Sequence, residues 1–388
     1  MRLFEELRLT NLLSFGPDSP PVTLGELNVL IGTNGAGKSN FIEAVGLLKS
    51  APTDLVVPVR EGGGVRNWLW KGAKTPPTAT LEAVLAYPAG SAPLRYRLSF
   101  AEAGQRFEVT DERIESARAS TGKPKPYFFF GYEHGRPMLN VKGAKRELRR
   151  EDIDPQRSIL SQRKDPDQYP EVTYVGEAFG RLRVYREWSF GRYTAPRLPQ
   201  PADLPNDQLQ EDGRNLGLVL NRLRREPAIK HLLLEHLSRL YAGVDDYEVI
   251  VEAGTVQVFL QEGNRTIPST RLSDGTLRYL CLLAILCHPT PSPLICIEEP
   301  ELGLHPDIIP HIATLLRDAA TRTQLIVTTH SDILVDALTD ASDAVIVCEK
   351  RDGATHLDRL SADALAPWLE KYRLGDLWTR GDIGGTRW

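Results

Sequence analysis

The segment Gly32-Thr33-Asn34-Gly35-Ala36-Gly37-Lys38-Ser39 has the form GxxxxGK[ST]. It constrains the fold because such a loop works only between a strand and a helix. Both flanks fit. Leu27 to Ile31 is a short apolar run, and Asn40 to Lys49 places Phe41, Ile42, Val45 and Leu48 at helical spacing. The glycines let backbone N–H groups turn inward around phosphate oxygens, and the helix N-terminus adds its positive end. Lys38 is expected to reach β- and γ-phosphates, and the Ser39 hydroxyl to sit on Mg²⁺. Asn34, Gly35, Ala36, Gly37, Lys38, Ser39 and Asn40 are therefore the expected nucleotide contacts. A glycine-rich turn with no ligand would explain the loop but not its agreement with both flanks.

The remaining chain bounds the partners. In 388 residues the formal net charge is −4, so no whole-protein basic field recruits nucleic acid, and any such binding needs a local patch. Apolar content of 41% and charged content of 25% are those of an ordinary globular chain. No run of about eighteen apolar residues predicts a membrane span, and Glu5 and Glu6 interrupt the apolar pattern of the N-terminus, unlike a secretory signal. Cys281, Cys287, Cys296 and Cys348 each lie in apolar segments without a CxxC pair, which predicts buried free thiols in a reducing cytoplasm rather than zinc.

Along the chain, Leu7 and Leu9 read as a strand, and Val22 to Leu24 as its return partner. Ala51 to Gly72 reads as loop with at most one helical turn. Leu81 to Tyr87, Leu94 to Phe100 and Arg106 to Thr110 read as an antiparallel meander, with a further hairpin at Tyr127 to Phe130 and Met138 to Val141. From Lys142 to Arg225 basic residues cluster at Lys145, Arg146, Arg149 and Arg150, at Arg181, Arg183 and Arg186, and at Arg222, Arg224 and Arg225. They interleave with Glu147, Glu151, Asp152, Asp165 and Asp167. They fit either a contact surface for nucleic acid or an acidic partner, or a solvated face. Two helices are expected at Asn215 to Arg225 and Ala228 to Tyr241, then a hairpin around Ala253-Gly254. Leu277 to Cys287 is apolar on nearly every side and predicts a buried helix. Leu294 to Ile297, Leu325 to Thr329 and Ala344 to Cys348 are short apolar runs separated by helical patterns, which predicts a parallel sheet.

The strand Leu294 to Ile297 ends in Glu298-Glu299-Pro300. Adjacent carboxylates at the end of a buried parallel strand are costly unless they hold a cation or a polarised water. Glu298 is the expected metal residue and Glu299 the expected general base. The next strand ends in His330-Ser331, where a histidine could hydrogen-bond a γ-phosphate or simply sit in a capping turn. Ser273 and Gly275, in Leu272-Ser273-Asp274-Gly275-Thr276, could present a hydroxyl and N–H groups to an anion. On local pattern alone they read as an ordinary N-cap.

The order GTNGAGKS, LSDGT, ICIEEP, ELGLHP and TTHS resembles the ABC-type ATPase heads of the RecF/SMC class, and more closely the compact bacterial RecF-like ATPases, some of which belong to anti-phage and DNA-repair systems. The ending Leu374-Gly375 through Gly384-Gly385-Thr386-Arg387-Trp388 is similar to the tail of that group. The resemblance implies an α/β P-loop NTPase with a parallel core sheet, an antiparallel β subdomain and a mostly helical insert. It divides the chain into 1–115 and 245–350 as the two parts of the head, 116–244 as insert and 351–388 as tail. It implies ATP and Mg²⁺ as ligands, Ser39 and Glu298 toward the metal, and Lys38, Glu299 and His330 toward catalysis. Ser273 and Gly275 would be a signature motif that caps the γ-phosphate held by another copy, giving a head-to-tail homodimer. Glu301 to Pro306 would be the D-loop at that interface. The signature departs from transporter heads at Asp274 and Thr276, and the metal position is Glu rather than Asp. Gln162 is a weak candidate for the Q-loop, and Phe15 for an adenine platform, although Phe15 fits a core aromatic better.

Three other roles compete. A transporter head is disfavoured by the roughly 230 residues between Ser39 and Ser273 and by the lack of membrane segments. An OLD-type nuclease would need a TOPRIM fold after Glu349, where 39 residues (388 − 349) remain without a later DxD pair. A slow nucleotide switch that gates a partner effector, without binding DNA itself, stays open beside a role in DNA repair, surveillance or anti-phage defence.

Overall fold

The structure is a computed structural model that describes residues 2–119, 125–133, 136–141, 144–148 and 153–385. Arg149, Arg150, Glu151 and Asp152 of the first basic region, and the terminal Thr386, Arg387 and Trp388, lie outside the described residues, as do the side chains of Lys145, Arg146 and Glu147. The chain forms two compact units. One comprises Arg2–Leu182, Ile346–Leu360 and the closing residues. The other comprises Arg183–Val345 and Ser361–Asp382.

The first unit carries an eight-stranded antiparallel sheet in the order Val22–Thr23, Phe4–Thr10, Ala79–Leu85, Leu94–Ala103, Arg106–Ser116, Phe128–Glu133, Arg136–Val141 and Ala144–Glu147. Period-two patterning fixes its faces. Ala79, Leu81, Ala83 and Leu85 are buried, as are Leu94, Tyr96, Leu98 and Phe100 on the neighbouring strand. Between the latter, Arg95 and Arg97 pair with Glu115 and Glu82 on the other face. The expected meander and hairpin are present, and the strand begun at Arg106 runs on to Ser116. A second layer holds the fully buried strand Leu27–Ile31, beside Val345–Arg351, which pairs antiparallel with Ala354–Arg359.

Some local structure departs from the sequence expectation. The loop of Ala51 to Gly72 contains two short helices, Val56–Glu61 and Val65–Trp68. Their apolar anchors Val59, Val65 and Trp68 are buried, and that burial offsets weak local propensity. Helix Pro170–Gly180 was not expected. Proline at its first turn starts it, and Phe179 packs against Phe4 and Tyr96 at ring distances of 5.9 and 5.1 Å. Buried Glu112 pins the segment before that helix: Oε1 accepts from Tyr96 and Ser158, and Oε2 from the Ile159 N–H at 2.7 Å.

The second unit is built on parallel strands Arg183–Tyr185, Leu294–Glu298 and Gln324–Thr328, in that order, with Arg183 opposite Ile295 and Glu298 opposite Thr328. Within the latter two, Leu294 to Ile297 and Leu325 to Val327 are continuous apolar runs because both faces are covered. Helix Asp274–Leu286 is buried from Leu277 to Leu286. Helix Ile309–Ala320 lies between the two strands in the chain and buries Ile312, Leu315, Leu316 and Ala319. Helices Leu216–Leu223 and Pro227–Leu240 occur where expected. The hairpin Asp246–Glu252 with Thr255–Glu262 is extended by Arg265–Pro268 and Gln200–Pro201 into a four-stranded sheet. Helices Ala362–Leu369 and Leu374–Thr379 close the unit.

Candidate nucleotide site

The first unit presents the glycine loop. It leaves the end of strand Leu27–Ile31 and enters helix Lys38–Ser50, whose apolar face of Phe41, Ile42, Ala44, Val45, Leu47 and Leu48 is buried. Gly37 is the N-cap at φ 110°, and a Cβ there would lie 2.2 Å from Thr355 Oγ1. Gly32, at φ 144°, leaves 2.3 Å between such a Cβ and the Cys348 carbonyl oxygen. Both positions demand glycine twice over, through conformation and through space. Asn34, Gly35 and Ser39 are exposed, Ala36 is buried, and Asn40 is half-buried. The first turn of the helix leaves N–H groups without intrahelical partners, the arrangement that binds anions.

Lys38 is 5% exposed, and its ammonium donates to the Gly32 and Thr33 carbonyls at 2.8 and 3.1 Å. It thus holds the loop in a closed ring from within. The loop is braced from outside by a residue that local sequence reading missed. Thr355 Oγ1 donates to the Ala36 carbonyl at 2.8 Å and bonds Ser14 Oγ at 2.7 Å, and the Thr355 N–H donates to the Ser14 carbonyl.

The second unit presents the acid pair. Glu298 is the last residue of its strand. Its Oε2 accepts from Arg186 Nε at 3.2 Å, while Oε1 is buried with no hydrogen-bond partner. A buried carboxylate oxygen left unpaired is costly, and an oxygen ligand of this kind suits a hard divalent cation or one of its waters. Glu298 therefore fits the metal role. Glu299 follows at φ 45°, a left-handed conformation that costs a non-glycine residue about 1–3 kcal/mol. Three bonds hold it there: its N–H donates to the Thr328 carbonyl at 3.0 Å, and its own carbonyl accepts from Arg278 and from the Leu302 N–H, each at 3.1 Å. The turned backbone brings the Glu299 carboxylate to 3.7 Å from His330 Nε2, with both side chains partly exposed. The structure thus joins the expected base and the expected phosphate-sensing histidine. Glu301 lies beside them, its carboxyl raised above the ordinary range by burial. Thr329 and the His330 N–H donate to Oε1, and Oε2 has no partner.

The signature turn is in the same unit. Ser273 caps helix Asp274–Leu286 by accepting from the Thr276 N–H at 3.1 Å, and Ser273 and Asp274 are exposed. Gly275 packs so closely on the turn of Glu301 to Pro306 that a Cβ would stand 2.9 Å from the Gly303 carbonyl. Asp274, the departure from transporter signatures, has a local partner: Arg197 ion-pairs with it and donates to the Leu272 carbonyl at 2.5 Å.

Other candidates fare differently. Gln162 accepts from the Asp154 N–H at 2.8 Å and donates to the Arg157 carbonyl at 3.1 Å, which ties its amide into a local cap. Phe15 is 3% exposed against Phe41, a core aromatic rather than a platform. Of the basic clusters, Arg186 faces Glu298 and Arg224 lies over the Tyr247 ring. The four cysteines are buried free thiols, and among the described residues no His, Cys, Asp and Glu cluster forms a transition-metal site. No helix among them is long and apolar enough to cross a membrane.

The glycine loop, the parallel strands and the carboxylate pair define a P-loop nucleotide-binding head. Residues 27–336 match the family described as "AAA domain, putative AbiEii toxin, Type IV TA system", and the chain belongs to that family. No curated protein matches it. Its fold is similar to an Smc head bound to the C-winged helix domain of ScpA, with TM-score 0.62 and 15% identity over 93% of this chain and 99% of that one. It is also similar to the Pyrococcus furiosus Smc head with an extended coiled coil bound to the C-terminal domain of ScpA, with TM-score 0.55 and 14% identity over 96% and 99%. A third, the Pyrococcus yayanosii Smc head with a coiled coil and joint, gives TM-score 0.51 and 12% identity over 96% and 99%. The protein is a P-loop ATPase domain with the α/β fold of an SMC head.

Proposed function

We propose that the chain binds ATP with Mg²⁺ and hydrolyses it, and that two copies associate head to tail around the nucleotide. The observation that carries this reading is the end of strand Leu294–Glu298. A carboxylate with an unpartnered buried oxygen is followed at once by a second carboxylate turned toward a histidine. In this reading the loop N–H groups and Lys38 take up phosphate charge, and Asn34, Gly35, Ala36, Gly37 and Asn40 shape the loop around it. Ser39 and Glu298 are the residues that would hold Mg²⁺, and the ion would supply positive charge to the phosphates. Glu299 accepts a proton from the attacking water as its oxygen bonds to the γ-phosphorus and the bond to the β–γ bridging oxygen breaks. His330 hydrogen-bonds the γ-phosphate. Ser273 and Gly275 of a second copy supply the remaining contacts, a role supported by the exposure of Ser273 and of Leu302, 56% exposed, in the D-loop.

Phosphate release tests this. The wild type should turn ATP over, Lys38→Ala should not, and Glu299→Gln should lose about 10²–10⁴-fold in rate while still binding nucleotide. Equal rates in wild type and Lys38→Ala would refute it.

We place the protein in DNA repair, surveillance or anti-phage defence. The toxin wording of the family description supports a defence role. A second reading, a slow switch that gates a partner protein, draws support from the Smc heads solved bound to ScpA domains. Gel-shift binding at two salt concentrations separates them. Phosphate contacts must weaken as salt rises, and no binding at low salt would favour the switch.

A further inference from the structure

We propose that Arg278 is a positioning residue for Glu299, and that the segment from Arg186 to Arg197 ties that position to the turn at Ser273–Gly275. The proposal rests on the hydrolysis reading above and concerns side chains of one unit only.

Helix Asp274–Leu286 is buried and apolar, yet it carries an arginine one turn after the signature. Arg278 is 6% exposed, and its partners are two aromatic rings and a backbone carbonyl. Its guanidinium lies 5.2 Å from the Trp188 ring centroid and 5.4 Å from that of Phe190, and those two rings stack on each other at 5.7 Å. From that aromatic seat Nη1 donates to the Glu299 carbonyl at 3.1 Å. The acceptor is the backbone of the one residue in the acid pair whose φ is left-handed. The Leu302 N–H shares that carbonyl at 3.1 Å but belongs to the same turn, so Arg278 is the anchor from outside it; without that anchor the turn is held less firmly, and the Glu299 carboxylate shifts away from His330. A planar guanidinium stacks on rings and donates in its plane at once, which an ammonium does not.

The seat is anchored at both ends. Strand Arg183–Tyr185 runs parallel to Leu294–Glu298 with Tyr185 opposite Ile297, so the next residue, Arg186, emerges beside Glu298 and bonds it. At the far end Arg197 donates to the Phe190 carbonyl at 3.1 Å, to the Leu272 carbonyl at 2.5 Å, and to Asp274. Ser269 Oγ donates back to the Arg197 carbonyl at 2.7 Å. A continuous chain of contacts therefore runs from Asp274, beside Ser273, through Arg197 and Phe190 to Arg278 and the Glu299 carbonyl. An anion engaged at the signature turn acts on the same anchor that seats the base.

The test uses the full chain, single-turnover ATP hydrolysis and equilibrium titration with a fluorescent ATP analogue. Arg278→Lys should lower the hydrolysis rate at least about tenfold and leave nucleotide affinity within about threefold. In a Glu299→Gln background the same substitution should add nothing, because Arg278 acts through Glu299. Asp274→Asn, at an exposed position, should give a smaller loss of the same kind, and it reads the linkage if Arg278→Lys does not fold. A wild-type rate in both single variants, or an equal further loss in the Glu299→Gln background, overturns the proposal and leaves the hydrolysis reading standing. A wild-type chain that binds ATP without turning it over overturns both.

Discussion

Gly37 has no room for a side chain. Gly37→Ala would press a Cβ into Thr355 and force alanine to φ 110°. We expect a loss of about 1–3 kcal/mol in urea unfolding, together with loss of nucleotide binding. Binding at wild-type affinity would show that the loop tolerates a different path. Thr355→Val is the isosteric counterpart. It leaves the Ala36 carbonyl without its donor from outside the loop, at a cost of about 1–3 kcal/mol for a buried unpaired group, with weaker ATP binding in the same titration. The phosphate loop was legible from eight consecutive residues. Its brace was not, because Ser14 and Thr355 are separated by 341 positions and meet only in the folded unit.

At the scale of elements, the strands Leu27–Ile31, Leu294–Glu298 and Gln324–Thr328 were readable because burial leaves each mostly apolar, with Asn28, Glu298, Gln324 and Thr328 as their polar residues. Their ends therefore pointed to Gly32, Glu298 and His330. Strand Arg183–Tyr185 was not readable: three residues set among Arg181, Arg183 and Arg186 carry no period, and only pairing with Leu294–Glu298 defines them. Arg278 escaped for the opposite reason, since a helix apolar on nearly every side hides one cation whose partners are aromatic rings and a carbonyl. Glu112 shows what burial does to such a group. Despite donors from Tyr96, Ser158 and Ile159, burial pushes its carboxyl from 4.5 up to about 7. Below 4.5 both folded and unfolded chains hold the proton. Between 4.5 and about 7 only the unfolded chain releases it, so stability falls as pH rises through that window and then levels. The full span is of order 3 kcal/mol. The stability difference between wild type and Glu112→Gln, from urea midpoints at pH 4.5 to 8, should fall as pH rises through that window. A difference that stays constant with pH would place the effect elsewhere.

Across the whole molecule the acid side has the opposite sign. His236 Nδ1 and His311 Nε2 lie 2.9 Å apart, a bond that needs one lone pair and one N–H. Burial lowers both, His311 to about 4 from 6.5. Their stabilisation is complete above 6.5 and falls as pH drops toward about 4, so it runs against the Glu112 contribution over almost the same window. The His pair belongs to the unit with the acid pair, and Glu112 to the unit with the phosphate loop. The account rests most heavily on the claim that ATP is held between two copies and released by Glu299. The direct measurement is the solution mass of Glu299→Gln, by sedimentation or light scattering, in saturating ATP and Mg²⁺. The account predicts twice the mass of one chain, reverting to one chain when Ser273 is also changed to Arg. A variant that binds ATP and stays at the mass of one chain would contradict it.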